Sequence, residues 1–272
     1  MDDSRTPAGR DALRASSPER PTIADVAGPP AAPPVVLVHS LGMTRRLWQA
    51  QLREGPLPTG HRAIAPDLPG HGSLVGVPFR IETAVRQLAS LIDREAGGRA
   101  LVVGLSLGGY VSMRLAASHP DKVAGLVLAS CSADPRGIST LPYRVLAWLI
   151  RVAGDRWYAA LNAWLFRRTL PQAAAETQIR SGLYFATIPD VVDELVGRDV
   201  TAWLKGYPGP VLLLNGGRDP LFRRHERALL AACRSGRCEI LPRASHLCNL
   251  DEPEGFALAI LAFARSIGWG RG

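Results

Sequence analysis

Ala100-Leu101-Val102-Val103-Gly104-Leu105-Ser106-Leu107-Gly108-Gly109 decides how the rest of this chain is read. An apolar run enters a glycine, a serine stands two residues later, and two more glycines follow it. The pattern is a strand that turns sharply into a helix, with Ser106 at the apex. Glycines are needed around such a serine because a side chain there collides with the neighbouring strand or helix. The helix starting at Leu107 aims its N-terminal amides and positive dipole end at the serine hydroxyl. The plainer reading, a small residue at a turn, leaves the glycine frame unexplained.

Two segments downstream complete the pattern. Pro210-Val211-Leu212-Leu213-Leu214-Asn215-Gly216-Gly217-Arg218-Asp219 is a buried-strand pattern ending in a glycine-rich turn and an acid. Cys238-Glu239-Ile240-Leu241-Pro242 is a short strand, followed by Arg243-Ala244-Ser245-His246. Serine, aspartate and histidine in that chain order supply a nucleophile, an orienting acid and a general base. Asp134, after the preceding strand, competes with Asp219 for the acid position. The Gly-Gly-Arg-Asp-Pro setting favours Asp219. His39, His71 and Asp67 read as loop and turn supports.

With these motifs the chain resembles the α/β-hydrolase superfamily over most of its length. Val35-Val36-Leu37-Val38-His39-Ser40-Leu41-Gly42 followed by Trp48 is similar to the strand and loop that carry half of the oxyanion hole. Ala65-Pro66-Asp67-Leu68-Pro69-Gly70-His71-Gly72 resembles the D-x-P-G-x-G turn, and Ser245-His246 through Phe256 resembles the family's His segment. Where members more usually have His-Gly, this chain has His39-Ser40; the Ser-Leu-Gly form resembles enol-lactonases. The resemblance implies a catalytic triad of Ser106, Asp219 and His246, and oxyanion donors at the backbone N–H groups of Leu41 and Leu107. It implies no metal and no organic cofactor. A serine in place of an aspartate nucleophile argues against dehalogenase and epoxide hydrolase chemistry, which form alkyl esters on a carboxylate.

At 272 residues and 47% hydrophobic, the chain is long enough to bury a large core. The formal charge of +8 sets thirty arginines and two lysines, scattered along the sequence, against 24 acidic residues. This dispersion argues against a nucleic-acid partner, whose footprint is a clustered basic face. The four cysteines form no metal or disulfide framework, and reduced thiols are the expectation. No run reaches the length of a spanning helix, and residues 1–34 contain no signal-peptide core, so the expected location is cytoplasmic.

Strands are expected at Val35–His39, Arg62–Ala65, Leu101–Val103, Val123–Ala129, Val211–Asn215 and Cys238–Leu241. Helices are expected at Ile81–Glu95, Leu107–His119, Phe222–Arg234 and Pro253–Ile267. Alternation of this kind gives an α/β fold, a mostly parallel sheet with helices on both faces. Residues 1–34 read as a mobile tail, with Thr22–Val26 as a possible edge strand. Residues 35–130 and 206–272 form the core. A helical cap, 131–205, is inserted between the strands ending near Ala129 and starting near Val211.

Nine of the seventeen aromatics fall in that insert, which places specificity there. Most would pack the helices onto the sheet, while Trp148, Trp164 and Cys131 are candidates for the substrate pocket. Arg144, Arg151, Arg167 and Arg168 together with the tryptophans also fit a basic helix at a membrane surface.

The expected activity is hydrolysis of a small or medium apolar ester, lactone or thioester through an acyl-enzyme. Acyl transfer or carbon–carbon cleavage, with an acyl carrier as partner, is the alternative on the same scaffold. A ligand-binding protein without catalysis is the third reading, and the intact triad counts against it.

Overall fold

Successive strand residues point to opposite faces of a sheet, and here both faces of the central strands are apolar. The computed structural model describes residues 23–53 and 55–270. Its strands are β1 (Ala24–Ala27), β2 (Pro34–Val38), β3 (Arg62–Pro66), β4 (Ala100–Leu105), β5 (Val123–Ala129), β6 (Pro210–Gly216) and β7 (Ser235–Leu241). Val36, Val102, Leu126 and Leu213 enter one core, while their neighbours Val35, Val103, Val127 and Leu212 enter the other. Two separate hydrophobic layers therefore hold the sheet, each fully buried apolar side chain contributing about 1.5–3 kcal/mol.

The strands are ordered β1-β3-β2-β4-β5-β6-β7. All pairs are parallel except β1 with β3, which is antiparallel. After β2 the chain adds β3 on one side and then returns to add β4 on the other. That reversal opens a crevice at the carboxyl ends of β2 and β4, where parallel sheets bind ligands.

The short helices α1 (Gln49–Arg53) and α2 (Leu57–Gly60) precede α3 (Ile81–Glu95) and α4 (Leu107–Ser118). The insert after β5 contains α5 (Leu141–Ala153), α6 (Arg156–Thr169), α7 (Gln172–Arg180), α8 (Ile188–Leu195) and α9 (Val200–Gly206). The chain closes with α10 (Glu226–Ala232), α11 (Cys248–Asp251) and α12 (Pro253–Ser266). α3 buries Ile81, Ala84, Val85, Leu88 and Ile92 at helical spacing. It lies with α4, α9 and α10 against one face of the sheet, while α1, α2 and α12 cover the other.

Three expectations need correction. The tail expected over residues 1–34 ends earlier, because Ala24–Ala27 is a strand on β3, tied down by Asp25, which pairs with Arg45 at 3.0 Å and Arg46 at 3.1 Å. Residues 1–22 of that tail lie outside the described residues. The cap boundary at 205 falls too late: α9 buries Val200 and Leu204 in the core beside α4, as the crossover that returns the chain to β6. The helix expected over Phe222–Arg234 is shorter, starting only at Glu226, because Asp219 first draws Phe222 into a turn. Among the described residues, no helix is long and apolar enough to cross a membrane.

Candidate active site

Ser106 follows the last residue of β4 in a backbone conformation that L-residues rarely adopt, φ +54° and ψ −115°. Such strain costs on the order of 1–3 kcal/mol and persists only when the surroundings enforce it. Here the Ser106 N–H donates to Ala129 O at 2.9 Å and the Gly109 N–H donates to Ser106 O at 2.9 Å. The flanking glycines are sterically required. A Cβ on Gly104 would stand 2.3 Å from Gly108 O, one on Gly108 2.2 Å from Val38 O, and one on Gly109 2.4 Å from the Cys131 Sγ.

Asp219 and His246 stand on loops that are tied to each other. After β6, Gly217 N–H donates to Leu241 O at 2.7 Å and Arg218 N–H donates to Ala244 O at 2.9 Å. Just before His246, the Ser245 N–H donates to the Asp251 carboxylate at 2.7 Å. His246 Nδ1 consequently meets Asp219 Oδ2 at 2.8 Å, and its Nε2 meets Ser106 Oγ at 3.1 Å. A carboxylate can only accept, so Nδ1 carries the proton and Nε2 is free to accept the serine O–H. Burial works against the charge on Asp219, but the hydrogen bonds from His246 and from the Phe222 and Leu221 N–H groups hold its carboxyl below the usual range. The Phe222 ring packs against the imidazole, with centroids 4.2 Å apart and the planes tilted by 39°.

Above Ser106 opens a cavity of about 190 Å³. Its wall is chiefly apolar and comes from the insert, notably Tyr143, Leu146, Phe185, Ile188, Val191 and Val192. Leu41 and Leu107 line the floor beside the serine. The Leu107 N–H belongs to the first turn of α4, whose amides have no acceptor within the helix. Among the described residues no group of His, Cys, Asp and Glu side chains is assembled to hold a metal.

A family model described as the alpha/beta hydrolase family matches residues 35–259, a span that contains all of these elements. The chain belongs to the alpha/beta hydrolase family. The pimeloyl-acyl-carrier protein methyl ester esterase of Neisseria meningitidis serogroup C is 28% identical over 254 residues, covering 88% of this chain and 96% of that protein. The thermophilic esterase from Thermogutta terrifontis, solved with malate bound, superposes with a TM-score of 0.76 at 25% identity, covering 90% of this chain and 93% of that one. The enol-lactonase from Burkholderia xenovorans LB400 shares the fold at a TM-score of 0.76 and 23% identity, over 89% of this chain and 95% of that one.

Within this alpha/beta hydrolase two further histidines hold the loop that carries Leu41. His39 is buried, with Nδ1 on Ser40 O at 2.8 Å and Nε2 accepting the Leu68 N–H at 2.9 Å. His71 places Nδ1 on Pro69 O at 2.9 Å and accepts the Gly42 N–H on Nε2 at 3.1 Å. Burial, reinforced by the neighbouring His39, depresses His71 to about 3, so both rings work as neutral struts. Asp67 joins them by accepting the N–H groups of Arg45 at 2.8 Å and Ser73 at 2.9 Å. The competing acid, Asp134, is held by Arg136 at 2.9 Å and makes no bond to the imidazole.

The pocket residues expected from sequence lie elsewhere. Trp148 and Trp164 are 59% and 50% exposed on the outer sides of α5 and α6. Cys131 is fully buried behind the elbow, packed on Gly109, with its thiol pushed up first by burial. All four cysteines are free. Sequence reasoning missed Phe222 and chose the wrong aromatics of the insert. The signals were present: Phe222 stands three residues after the acid, and Tyr143 shares a helical face with the buried Ala147 and Ile150.

Proposed function

We propose that this enzyme hydrolyses small or medium apolar carboxylic esters, lactones or thioesters, with Ser106 as nucleophile, His246 as general base and Asp219 as its orienting acid. The observation that carries this reading is the 3.1 Å contact of Ser106 Oγ with His246 Nε2 at the floor of an apolar cavity. His246 takes the serine proton as Oγ attacks the substrate carbonyl carbon. The resulting oxyanion is held by the backbone N–H groups of Leu41 and Leu107, each such donor being worth ~3 kcal/mol. Collapse breaks the bond to the leaving group, which departs with the proton from His246. Water activated by the same imidazole then cleaves the acyl-enzyme and restores Ser106.

The insert α5–α8 serves as a lid over the acyl chain in this reading. Its wall offers few charged groups near the serine, so the acyl part is expected to be hydrocarbon. The named activity of the meningococcal relative, on an ester whose acyl group is borne by a carrier protein, extends the candidates to carrier-linked acyl groups.

The test is turnover of a p-nitrophenyl ester series from acetate to long acyl chains, joined by lactones, acyl thioesters and carrier-bound methyl esters. Turnover with an optimum at short or medium chains, abolished together with fluorophosphonate labelling in Ser106→Ala, supports the proposal. Labelling without turnover on any of these substrates would point to acyl transfer or carbon–carbon cleavage on the same serine. Absence of both would leave only a binding protein.

A further inference from the structure

Helix α5 carries two opposite apolar faces, of which only one is covered, and α6 adds a second exposed apolar stripe. At 3.6 residues per turn, Tyr143, Leu146, Ala147 and Ile150 share one side of α5 and face the cavity or the small core around Phe185 and Ile188. Leu141, Val145, Trp148 and Val152 fall on the opposite side, inside an arc of about 60°, and all four are exposed. On α6 the exposed residues occupy an arc of about 100° that adjoins the packed side. Tyr158 and Ala159 pack into the same small core, while Trp157, Leu161, Trp164 and Leu165 are exposed. Only Gly154 and Asp155 separate the two helices, so the two exposed stripes follow each other directly in the chain.

The charges around the stripes are of one sign. Between Leu141 and Thr169 stand five arginines and a single acid, Asp155, whose carboxylate accepts the Ala186 N–H at 2.9 Å. Arg144 and Arg151 flank the stripe of α5, Arg156 and Arg167 flank that of α6, and Arg168 stacks 4.5 Å above the Trp164 ring. Arg151 pairs with Asp193 and Arg167 with Glu176. Arg144, Arg156 and Arg168 have no carboxylate partner among the described residues.

We propose that the outer face of α5–α6 docks on a lipid bilayer bearing anionic headgroups, presenting the cavity behind it to esters that partition into lipid. Indole rings sit at the boundary of headgroup and acyl chain, apolar stripes bury just below it, and arginines reach the phosphate layer. A second copy of this chain fits poorly, since an isologous contact would set the three arginines without a carboxylate partner against the same three. This surface lies beyond the hydrolytic reading, and its binding is measured without turnover.

The experiment is co-sedimentation of the full chain with phosphatidylcholine vesicles, with and without phosphatidylglycerol, at physiological salt. The expected result is binding to the anionic vesicles. Val152→Glu/Leu161→Glu lowers the partition coefficient about tenfold or more, and Arg144→Gln/Arg156→Gln lowers it about fivefold per arginine. Unchanged melting curves and unchanged hydrolysis of a soluble ester show that the variants are folded. Three outcomes overturn the proposal: no sedimentation of the wild type, equal binding by the variants, or a lipid-free dimer that the Val152→Glu/Leu161→Glu change splits. If no ester is turned over, sedimentation and melting still decide the matter.

Discussion

The imidazole of His71 accepts the backbone N–H of Gly42 at 3.1 Å, and that bond requires an unprotonated Nε2. Thr187 Oγ1, from the insert, approaches the same nitrogen at 3.3 Å. The Thr187 hydroxyl donates its proton to Tyr184 O at 2.7 Å, so the neutral ring bonds the D-x-P-G-x-G turn to the loop carrying the Leu41 amide and only touches the insert. Protonation would replace an acceptor with a donor facing another donor.

The pH dependence of stability follows. His71 titrates near 3 when folded, mainly because it is buried, and near 6.5 when unfolded. The unfolded chain therefore binds the extra proton first, so this contribution is complete above about pH 6.5 and is lost as pH falls toward 3. One proton gives a slope of about 1.4 kcal/mol per pH unit. Urea unfolding from pH 6.5 to 4.5 should show a shallower acid slope in His71→Gln than in the wild type. Identical slopes would remove His71 from the account.

Asp219→Asn should leave the fold intact and lower kcat by about 10³–10⁴-fold, because an amide no longer holds the Nδ1–H tautomer. Asp134→Asn should stay within about twofold, since its carboxylate, although at the cavity wall, is engaged with Arg136 and makes no bond to His246. Steady-state kinetics on the best p-nitrophenyl ester separates the two. A large loss at Asp134 would move the acid to the end of β5.

Gly108→Ala should destabilise the protein by about 3 kcal/mol or more, as overpacking against unyielding backbone does. The new Cβ would lie 2.2 Å from Val38 O and 2.7 Å from His39 O. Gly60→Ala meets nothing within 4 Å and should change stability by less than about 0.5 kcal/mol. Denaturation midpoints for the pair measure how far the elbow is fixed by space alone.

Val192→Phe fills the part of the cavity wall contributed by α8. Turnover of long acyl esters should fall about tenfold or more relative to acetate, because each lost methylene contact is worth about 1–3 kcal/mol. A proportional loss across the series would show that the acyl chain does not pass Val192.

The elbow and the chain order of Ser106, Asp219 and His246 were legible because each is written in a short segment: Gly104, Gly108 and Gly109 frame the serine, and Asp219 and His246 each follow a strand pattern. The edge strand Ala24–Ala27 gave little signal, since its four residues have one buried member and an alternation too short to separate from a loop. The lid aromatics misled for a different reason. Ring size argues for burial, but direction around the helix decides it, and Trp148 lies across α5 from Leu146 and Ile150. The packing of Phe222 on His246 depends on the turn at Asp219, which spacing alone does not specify.

β5 and β6 pair directly, Ala129 beside Leu214, although about eighty residues separate them in the chain. The excursion leaves and re-enters the sheet without interrupting a single ladder, and α9 alone carries out the return. Changing the length of such an excursion costs only with its logarithm, about 0.6 kcal/mol per doubling. Evolution can therefore lengthen, shorten or exchange the chamber above Ser106 almost independently of the scaffold beneath it, so substrate range in this architecture is free to diverge while the reaction machinery stays fixed.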